Sequence, residues 1–179
     1  PVVNLLISDV AGDDPAIIAS GPALPDSSTL ADARRVLDKY GLEVPVTIRE
    51  HLADLGNETP KPGDPKLGPI STRIVASANQ FLDAAAASLN DAGLPAFILS
   101  DALAGEAAQV ALVQAAIARE IGLRGRPFAP PCVLLSGGET TVTVRGGGSG
   151  GPNLEFLLGL VVALGDTSNI AALACDTDG

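Results

Sequence analysis

The feature that most constrains the fold is an alternation of two kinds of segment in the later part of the chain. Short apolar runs typical of strands lie at 73–76, 96–99 and from residue 133 onward, and between and after them come stretches with helical periodicity at 80–92, 103–121 and 153–164. Parallel strands need long crossover connections, which are usually right-handed helices. The pattern predicts an α/β fold with a mainly parallel sheet and helices on both faces.

The N-terminal part predicts a strand at Val2 to Ile7, a short helix begun near Pro15, a helix at Leu30 to Tyr40 that ends at Gly41, and another helix that begins near Pro45. Residues 58–69 contain four prolines and two glycines, which exclude both a helix and a central strand. We therefore expect a domain boundary here. Residues 1–62 would form the end of one α/β domain with its linker, and residues 63–179 a second α/β domain.

The stretch 133–155 concentrates glycine beside polar side chains. We expect a strand, a turn at 137–138, an antiparallel second strand at 141–145, and then the glycine run, residues 146–151, in which five of six residues are glycine. Glycine in such numbers indicates positive φ or the close approach of another group, and free amides before a helix opened by Pro152 suit an anion. The stretch predicts a phosphate or carboxylate site, with a flexible hairpin exit as the alternative.

Composition excludes several classes of function. The net charge of −10, without clustered basic residues, argues against a nucleic-acid partner. No uninterrupted apolar run reaches the roughly 20 residues of a bilayer span, so no membrane partner is expected. Cys132 and Cys175 end apolar runs, which favours reduced thiols and a cytoplasmic location over a disulfide framework. Because the chain has no methionine and opens inside an apparent strand, we expect it to be a fragment of a longer protein.

Polar or acidic residues follow five predicted strands. They are Ser8 and Asp9, Ser77 and Asn79, Ser100 and Asp101, Ser136 to Glu139, and Asp176 to Asp178, the last after a strand expected at 170–174. Ligands of open α/β sheets bind beyond the carboxyl ends of the strands, so these residues are candidates for one site. For the pairs at 77–79 and 100–101, helix capping is the alternative.

Known nucleotide and nucleophile motifs are weak or absent. The glycine run formally satisfies G-x-G-x-x-G, but the pattern arises almost automatically there, and no acidic residue ends a following strand at the right distance. There is no Walker A motif, Ser136 lies outside a nucleophile motif, and the lone His51 has no metal-binding neighbour. Acids in glycine-containing turns suit Mg²⁺ and substrate hydroxyls, although acids also favour turns for local reasons. These acids are Asp9, Asp13, Asp14, Glu139, Glu155, Asp176 and Asp178.

Six motifs run in order through nearly the whole chain: Ser8 to Asp14 with Ile18 to Pro22, Pro25 to Thr29, Glu58 to Lys61, Ser136 to Thr140, Gly150 to Glu155, and Thr177 to Gly179. Together they resemble the glycerate 2-kinase family, whose C-terminal part is called the MOFRL domain. The resemblance implies ATP- and Mg²⁺-dependent phosphorylation of D-glycerate to 2-phosphoglycerate by a two-domain α/β enzyme with its site in the interdomain cleft. Some relatives are labelled hydroxypyruvate reductases. An NAD(P)H-dependent reductase and a catalytically inactive nucleotide-binding relative are therefore the alternatives.

The resemblance also implies residue roles. The ATP phosphates would be bound by Ser136, Gly137, Gly138, Thr140, Gly148, Gly150 and Gly151. The catalytic residues would be Asp9, Asp13, Glu139, Asn153 and Glu155. Mg²⁺ would be held by Glu139, Asp176 and Asp178, and the glycerate side would be lined by Ser8, Ser20 and Gly21. The expected partners are D-glycerate and a nucleotide, with a homodimer left open.

The chain departs from the family pattern in two ways. Pro152 stands where the family has an arginine expected to face the phosphates, so a cation that would stabilise transferring charge is missing. The family's catalytic lysine belongs to an N-terminal region that this sequence does not contain, and the MOFRL-type domain is expected to be truncated at its C-terminus. We therefore expect the fragment alone to be inactive.

Overall fold

The computed structural model describes residues 1–176, which form two compact units. The first unit contains residues 1–7 and 14–75, and the second contains residues 8–13 and the chain from Ala76 onward. The domain boundary expected between residues 62 and 63 stays a prediction, because these units are defined by contacts within the chain and do not test where a domain ends. None of the helices in residues 1–176 is both long and apolar enough to cross a bilayer.

The first unit combines one small sheet with two helices. Strand β1 (Val2–Ser8) pairs with β2 (Ile70–Ser77) in a two-stranded sheet. The helical elements between them are a 3-10 turn at Ile18–Ser20, α1 (Leu30–Tyr40), α2 (Val46–Ala53) and a 3-10 turn at Leu55–Asn57. Residues 58–69 contain neither helix nor strand, as their proline content predicts.

Helix α1 has the predicted bounds because both of its ends are specified locally. The Thr29 hydroxyl accepts a hydrogen bond from the Asp32 amide at 3.2 Å, and the Asp32 carboxylate accepts one from the Thr29 amide at 2.8 Å. This reciprocal capping box satisfies two amides that the first turn would otherwise leave unpaired. At the other end Gly41 adopts φ 59°, the left-handed conformation in which glycine commonly ends helices.

The second unit packs helices on both faces of a parallel strand pair. Its elements are α3 (Ala78–Asp91), β3 (Ala96–Glu106), α4 (Ala107–Arg124), β4 (Val133–Thr141) and α5 (Pro152–Leu164). Strands β3 and β4 are parallel. Ser136 of β4 contacts α4, whereas a side chain at Gly137 would meet Leu82 of α3. Successive strand residues point to opposite faces, so α3 and α4 cover opposite faces of the pair, and the predicted α/β class is confirmed.

Three sequence predictions about this unit are wrong. The turn at 137–138 and the antiparallel strand at 141–145 do not form, because residues 133–141 continue as one strand beside β3. Residues 103–106, predicted as the start of a helix, extend β3 for the same reason, since strand pairing outweighs local propensity. Residues 170–174 are not a strand, and within residues 1–176 they have no strand neighbour.

Helices α4 and α5 pack closely because small residues line their contact. Ala107, Ala111 and Ala115 of α4 are almost completely buried, and Ala111 and Ala115 cluster with Leu160 of α5. A Cβ atom at Gly159 of α5 would lie 2.9 Å from the Cβ of Ala111. The two helix backbones therefore approach within a distance that leaves no room for another methyl group.

Candidate functional site

The motif Ser136 to Thr140 lies within β4. Gly138 pairs with Leu103 of β3 and has φ 143°, a conformation that L side chains rarely adopt. A Cβ atom at Gly138 would lie 2.1 Å from the Leu103 carbonyl oxygen. The close approach of β3 thus explains this glycine without any ligand, whereas the sequence offered a turn or an anion as the reason.

The pairing of β3 with β4 is irregular at Ser136. The register shifts between Ile98 and Ser100 and again between Ser100 and Leu103, so a bulge lies on each side of the pair formed by Ser100 and Ser136. Bulges bend a strand, redirect side chains, and are common beside active sites. Ser136 is exposed, and its hydroxyl accepts a hydrogen bond of 2.9 Å from the side-chain amide of Gln114 on α4. No local signal in the sequence connects Gln114 to β4, so this residue was not among the predicted ones.

Glu106, at the end of β3, holds the chain that leaves β4. Its carboxylate accepts hydrogen bonds from the Thr143 hydroxyl at 2.6 Å, from the Thr143 amide at 3.1 Å and, more weakly, from the Thr141 hydroxyl at 3.5 Å. The hydrogen bond from the Thr143 hydroxyl is the main cause of a lowered pKa for Glu106, with Arg145 adding a smaller attraction. Sequence reasoning missed this acid as well. It fixes the start of the segment that carries the glycine run.

The glycine run connects β4 to α5 with unusually open backbone. None of its five glycines has φ in the left-handed region, and at Gly146, Gly147, Gly148 and Gly151 an added Cβ would meet nothing within 4 Å. Of the two alternatives that the sequence offered for this run, positive φ is therefore excluded, and the close approach of another group stays a prediction. At Gly150 the only neighbour is Leu154, at an ordinary contact distance. No packing in the described residues explains why these positions are glycine.

The N-terminus of α5 follows the glycine run directly. Gly151 is the N-cap in an extended conformation, Pro152 is the first helical residue, and within residues 1–176 no side chain caps this end. Pro152 has no amide proton, and the Glu155 amide donates to the Gly151 carbonyl at 2.9 Å. The amides of Asn153 and Leu154 have no carbonyl partner within an α-helix, and together with the helix dipole they favour an anion. Asn153 and Glu155, both predicted as catalytic, lie half-buried in this turn.

The loop 8–13 groups with the second unit, which also contains β4 and α5. Ser8 is buried, and its hydroxyl is within 3.3 Å of both the amide and the carbonyl of Val10, so it stabilises the loop itself. Asp9 is exposed, and Asp13 adopts φ 53°, which is uncommon for a residue with a side chain. Two predicted catalytic acids thus share a compact unit with Glu139, Asn153 and Glu155.

Ser20 and Gly21, predicted on the glycerate side, belong to the first unit. Ala19, Ser20 and Gly21 are three consecutive left-handed residues, with φ 50°, 62° and 57°. A Cβ atom at Gly21 would lie 2.4 Å from the Ala16 carbonyl oxygen, so the local turn requires glycine. Left-handed conformations at two non-glycine residues store strain of the kind found at ligand sites.

Two further motifs of the first unit meet in a hydrogen-bonded cluster. The Asp26 carboxylate accepts hydrogen bonds from the Ser28 hydroxyl at 2.7 Å, the Ser28 amide at 2.8 Å and the Thr59 hydroxyl at 3.1 Å. Lys61 pairs with Glu58 at 2.7 Å and donates to the Thr59 hydroxyl at 2.8 Å. The Ser28 hydroxyl is the main cause of a lowered pKa for Asp26. The cluster fastens the proline-rich segment to the residues before α1.

The acids predicted to hold Mg²⁺ are only partly described. Glu139 and Asp176 are exposed, and Asp178 lies outside the described residues, as does the rest of the motif Thr177 to Gly179. Within residues 1–176 no three Asp, Glu, His or Cys side chains come together as a metal site. The described residues therefore do not form a complete Mg²⁺ site of the predicted kind.

One cleft of the second unit lies away from the candidate residues. It is an open cleft of about 670 Å³ between the C-terminal ends of α4 and α5 and the following loop. Its lining residues include Arg119, Leu123, Leu164 and Asn169, and none of the predicted site residues. The Arg119 guanidinium donates to the carbonyls of Ala163 and Leu164, so it caps the C-terminus of α5.

Two family models match the chain. Residues 1–53 match a domain of unknown function, DUF4147, and residues 132–179 match the MOFRL family. The first match contains the loop 8–13, Ser20 and Gly21. The second contains the motif Ser136 to Thr140, the glycine run and the first turn of α5.

Individual proteins match over nearly all of the chain. It is 51% identical over 180 residues to a protein of Agrobacterium vitis named "Putative hydroxypyruvate reductase", covering 99% of this chain and 40% of the relative. It is 40% identical over 181 residues to a Pyrococcus horikoshii protein named "Glycerate 2-kinase", covering 99% of this chain and 41% of the relative. The crystal structure of a glycerate kinase from Thermotoga maritima matches with a TM-score of 0.73 and 37% identity, covering 93% of this chain and 39% of that one.

The resemblance to the glycerate 2-kinase family is confirmed. The six motifs quoted above therefore lie in a chain whose similarity to glycerate 2-kinases extends over almost its whole length. The chain spans about two fifths of the length of these relatives.

Proposed function

We propose that this chain is part of an enzyme that transfers the γ-phosphoryl group of ATP to D-glycerate and forms 2-phosphoglycerate. The observation that carries the proposal is the glycine run, which leads into the N-terminus of α5; among residues 1–176, no side chain caps this end and no neighbour explains the glycines by packing. Open amides that converge on a helix N-terminus suit the oxygens of a phosphate chain. Relatives named glycerate 2-kinase, at 36% and 40% identity, support the choice of substrate.

In this proposal the second unit binds ATP. Amides at Gly148, Gly150 and Gly151 would face its phosphates, together with the motif Ser136 to Thr140 of β4. Phosphoryl transfer depends on positioning and on neutralising charge, and backbone amides supply both without a basic side chain. This arrangement fits a chain with ten more acidic than basic residues.

The acids of the loop 8–13 and of α5 would act on the glycerate side of the reaction. Asp9 or Asp13 would accept a hydrogen bond from a hydroxyl of D-glycerate, on a loop that the buried Ser8 hydroxyl stabilises. The glycerate-binding roles of Ser8, Ser20 and Gly21 stay predictions. Asn153 and Glu155 would orient the transferred group. Carboxylates can orient a hydroxyl nucleophile or take its proton as phosphoryl transfer proceeds.

Mg²⁺ enters the proposal as the ion that accompanies ATP. It would neutralise phosphate charge when bound, and Glu139 and Asp176 are the described acids that we expect near it. Because the described residues do not form a complete metal site, no step is assigned to a metal held by the protein. A cytoplasmic location and a homodimer also remain proposals, and size-exclusion chromatography with light scattering tests the second.

A reductase acting on hydroxypyruvate is the second candidate, favoured by the name of the relative at 51% identity. The structure offers it less support. A dinucleotide-binding fingerprint needs a tight turn between a strand and its helix, whereas residues 142–151 separate β4 from α5.

One pair of assays separates the candidates. The full-length protein is given ATP, Mg²⁺ and D-glycerate while ADP and phosphoglycerate are measured, and in parallel NADH and hydroxypyruvate while absorbance at 340 nm is followed. We expect formation of 2-phosphoglycerate and ADP in equal amounts and no oxidation of NADH. Oxidation of NADH without formation of ADP would replace the kinase proposal with the reductase, and nucleotide binding without either reaction would indicate an inactive relative.

A further inference from the structure

Gln114 connects the middle of α4 to the irregular part of β4. Its side-chain Nε2 donates a hydrogen bond of 2.9 Å to the Ser136 hydroxyl. Ala111 and Ala115, on either side of Gln114 along the chain, pack with Leu160 of α5. The half-buried Gln114 reaches β4 instead, so this part of α4 contacts both α5 and the strand.

The direction of this hydrogen bond determines what Ser136 can do next. A hydroxyl has one proton to donate and two lone pairs that accept. When the Gln114 amide occupies a lone pair, the Ser136 proton stays available, and its donation is strengthened because linked hydrogen bonds polarise one another. Ser136 is exposed, so that proton can reach a ligand. The ligand atom that fits is an acceptor such as a phosphate oxygen.

A second observation marks the same position. Bulges on β3 flank the pair of Ser100 and Ser136, and Gly138, two residues later, has φ 143°. These departures from regular pairing change the direction of side chains along β4 at this point. A regularly paired strand would not contain these irregularities. The orientation of Ser136 therefore differs from that of a side chain in a regular strand.

We propose that Gln114 is a positioning residue that fixes the Ser136 hydroxyl as a hydrogen-bond donor to a phosphate oxygen of the nucleotide. This inference rests on the proposed function and adds to it a residue on α4, outside the six motifs. Gln114 itself does not touch the nucleotide. It acts through Ser136, and its removal leaves the hydroxyl free to rotate toward other acceptors.

The test is a double-mutant cycle in the full-length protein. The variants are Gln114→Leu, which keeps the size of the side chain but removes the amide, Ser136→Ala, and the two combined. Gln109→Leu is the matched control, because Gln109 is an exposed glutamine on the same helix. Affinity for ATP is measured by calorimetry, kcat and KM by steady-state kinetics, and folding by thermal unfolding.

We expect Ser136→Ala to weaken ATP binding about ten- to a hundredfold, the range for losing a hydrogen bond to a charged group, and Gln114→Leu, which keeps the hydroxyl, to weaken it about three- to tenfold. In the Ser136→Ala background, Gln114→Leu should have no further effect, because the group through which it acts is gone. Gln114→Glu should be at least as harmful as Gln114→Leu, because a carboxylate would accept the Ser136 proton instead of donating to the hydroxyl. Gln109→Leu should match the wild type.

The outcomes distinguish this inference from the proposed function. If the wild type binds ATP and the cycle shows coupling but D-glycerate is not phosphorylated, the kinase proposal fails and the role of Gln114 stands. If D-glycerate is phosphorylated and Gln114→Leu equals the wild type, the role of Gln114 is overturned. If Gln114→Leu weakens ATP binding equally with and without the Ser136 hydroxyl and also lowers the melting temperature, Gln114 has a structural role and the inference is overturned. Absence of nucleotide binding in the wild type would overturn both proposals.

Discussion

The contact between α4 and α5 makes a quantitative prediction about Gly159→Ala. The new Cβ would lie 2.9 Å from the Ala111 Cβ, 3.4 Å from the Ala108 Cα and 3.5 Å from the Ala108 carbonyl oxygen. Carbon atoms pack best at about 3.5–4.0 Å, so the helices must separate by roughly 1 Å. Overpacking of this kind costs about 1–3 kcal/mol.

Helix propensity works in the opposite direction. Replacing glycine with alanine inside a helix stabilises it by about 1 kcal/mol. The control is Gly122→Ala, in α4, where an added Cβ meets nothing within 4 Å. We expect Gly122→Ala to raise the free energy of unfolding by up to about 1 kcal/mol and Gly159→Ala to lower it by about 0–2 kcal/mol. The difference between the two variants isolates the packing cost of about 1–3 kcal/mol.

The assay is urea unfolding of the full-length variants followed by circular dichroism. A second background, Ala111→Gly, removes the opposing methyl group, so in that background Gly159→Ala should lose most of its packing cost. Under the proposed function, Gly159→Ala should also reduce phosphorylation of D-glycerate, because a displaced α5 moves the amides at its N-terminus. If Gly159→Ala stabilises the protein as much as Gly122→Ala does, the helices do not pack as closely as described and the reasoning is refuted.

Three further predictions follow from the site and its surroundings. Gly138→Ala should destabilise the protein by about 3 kcal/mol or more, because its Cβ would overlap the backbone of β3. Gly148→Ala should leave the urea midpoint nearly unchanged and weaken ATP binding in calorimetry. Equal stability of the two variants would contradict this prediction. The pKa of Asp26 is lowered, mainly by the Ser28 hydroxyl. The carboxylate therefore stabilises the fold above its unfolded-state pKa of 3.8, and this contribution is lost as pH falls through the folded-state pKa. The free energy of unfolding should depend less on acid pH in Asp26→Asn, and an unchanged profile would count against the cluster. Pro152→Arg should raise kcat/KM at least about tenfold by restoring the family's cation, and unchanged kinetics would show that the site does not need it.

Elements specified by neighbouring residues were predicted correctly, and elements specified by distant residues were not. Helix α1 was predicted with its observed bounds because Thr29, Asp32 and Gly41 act within a few residues of the ends they define. The hairpin at 137–145 was wrongly predicted because the same glycines that permit a turn also permit a strand with a close neighbour. Only Leu103, 35 positions before Gly138, decides between these alternatives.

The sequence alone determined the α/β class, the bounds of α1, the proline-rich segment and the motifs that relate the chain to glycerate 2-kinases, because periodicity, capping and composition are local properties. It did not determine the start of α4, and the helix predicted near Pro15 is only a 3-10 turn at Ile18–Ser20. The tertiary structure decided which glycines serve packing, as Gly138 and Gly159 do, and which lie open, as in the glycine run. It also brought Gln114 to Ser136 and Glu106 to Thr143. The first pair is separated by 22 positions in the sequence and the second by 37. Such contacts depend on how strands and helices pack, which no short stretch of sequence specifies.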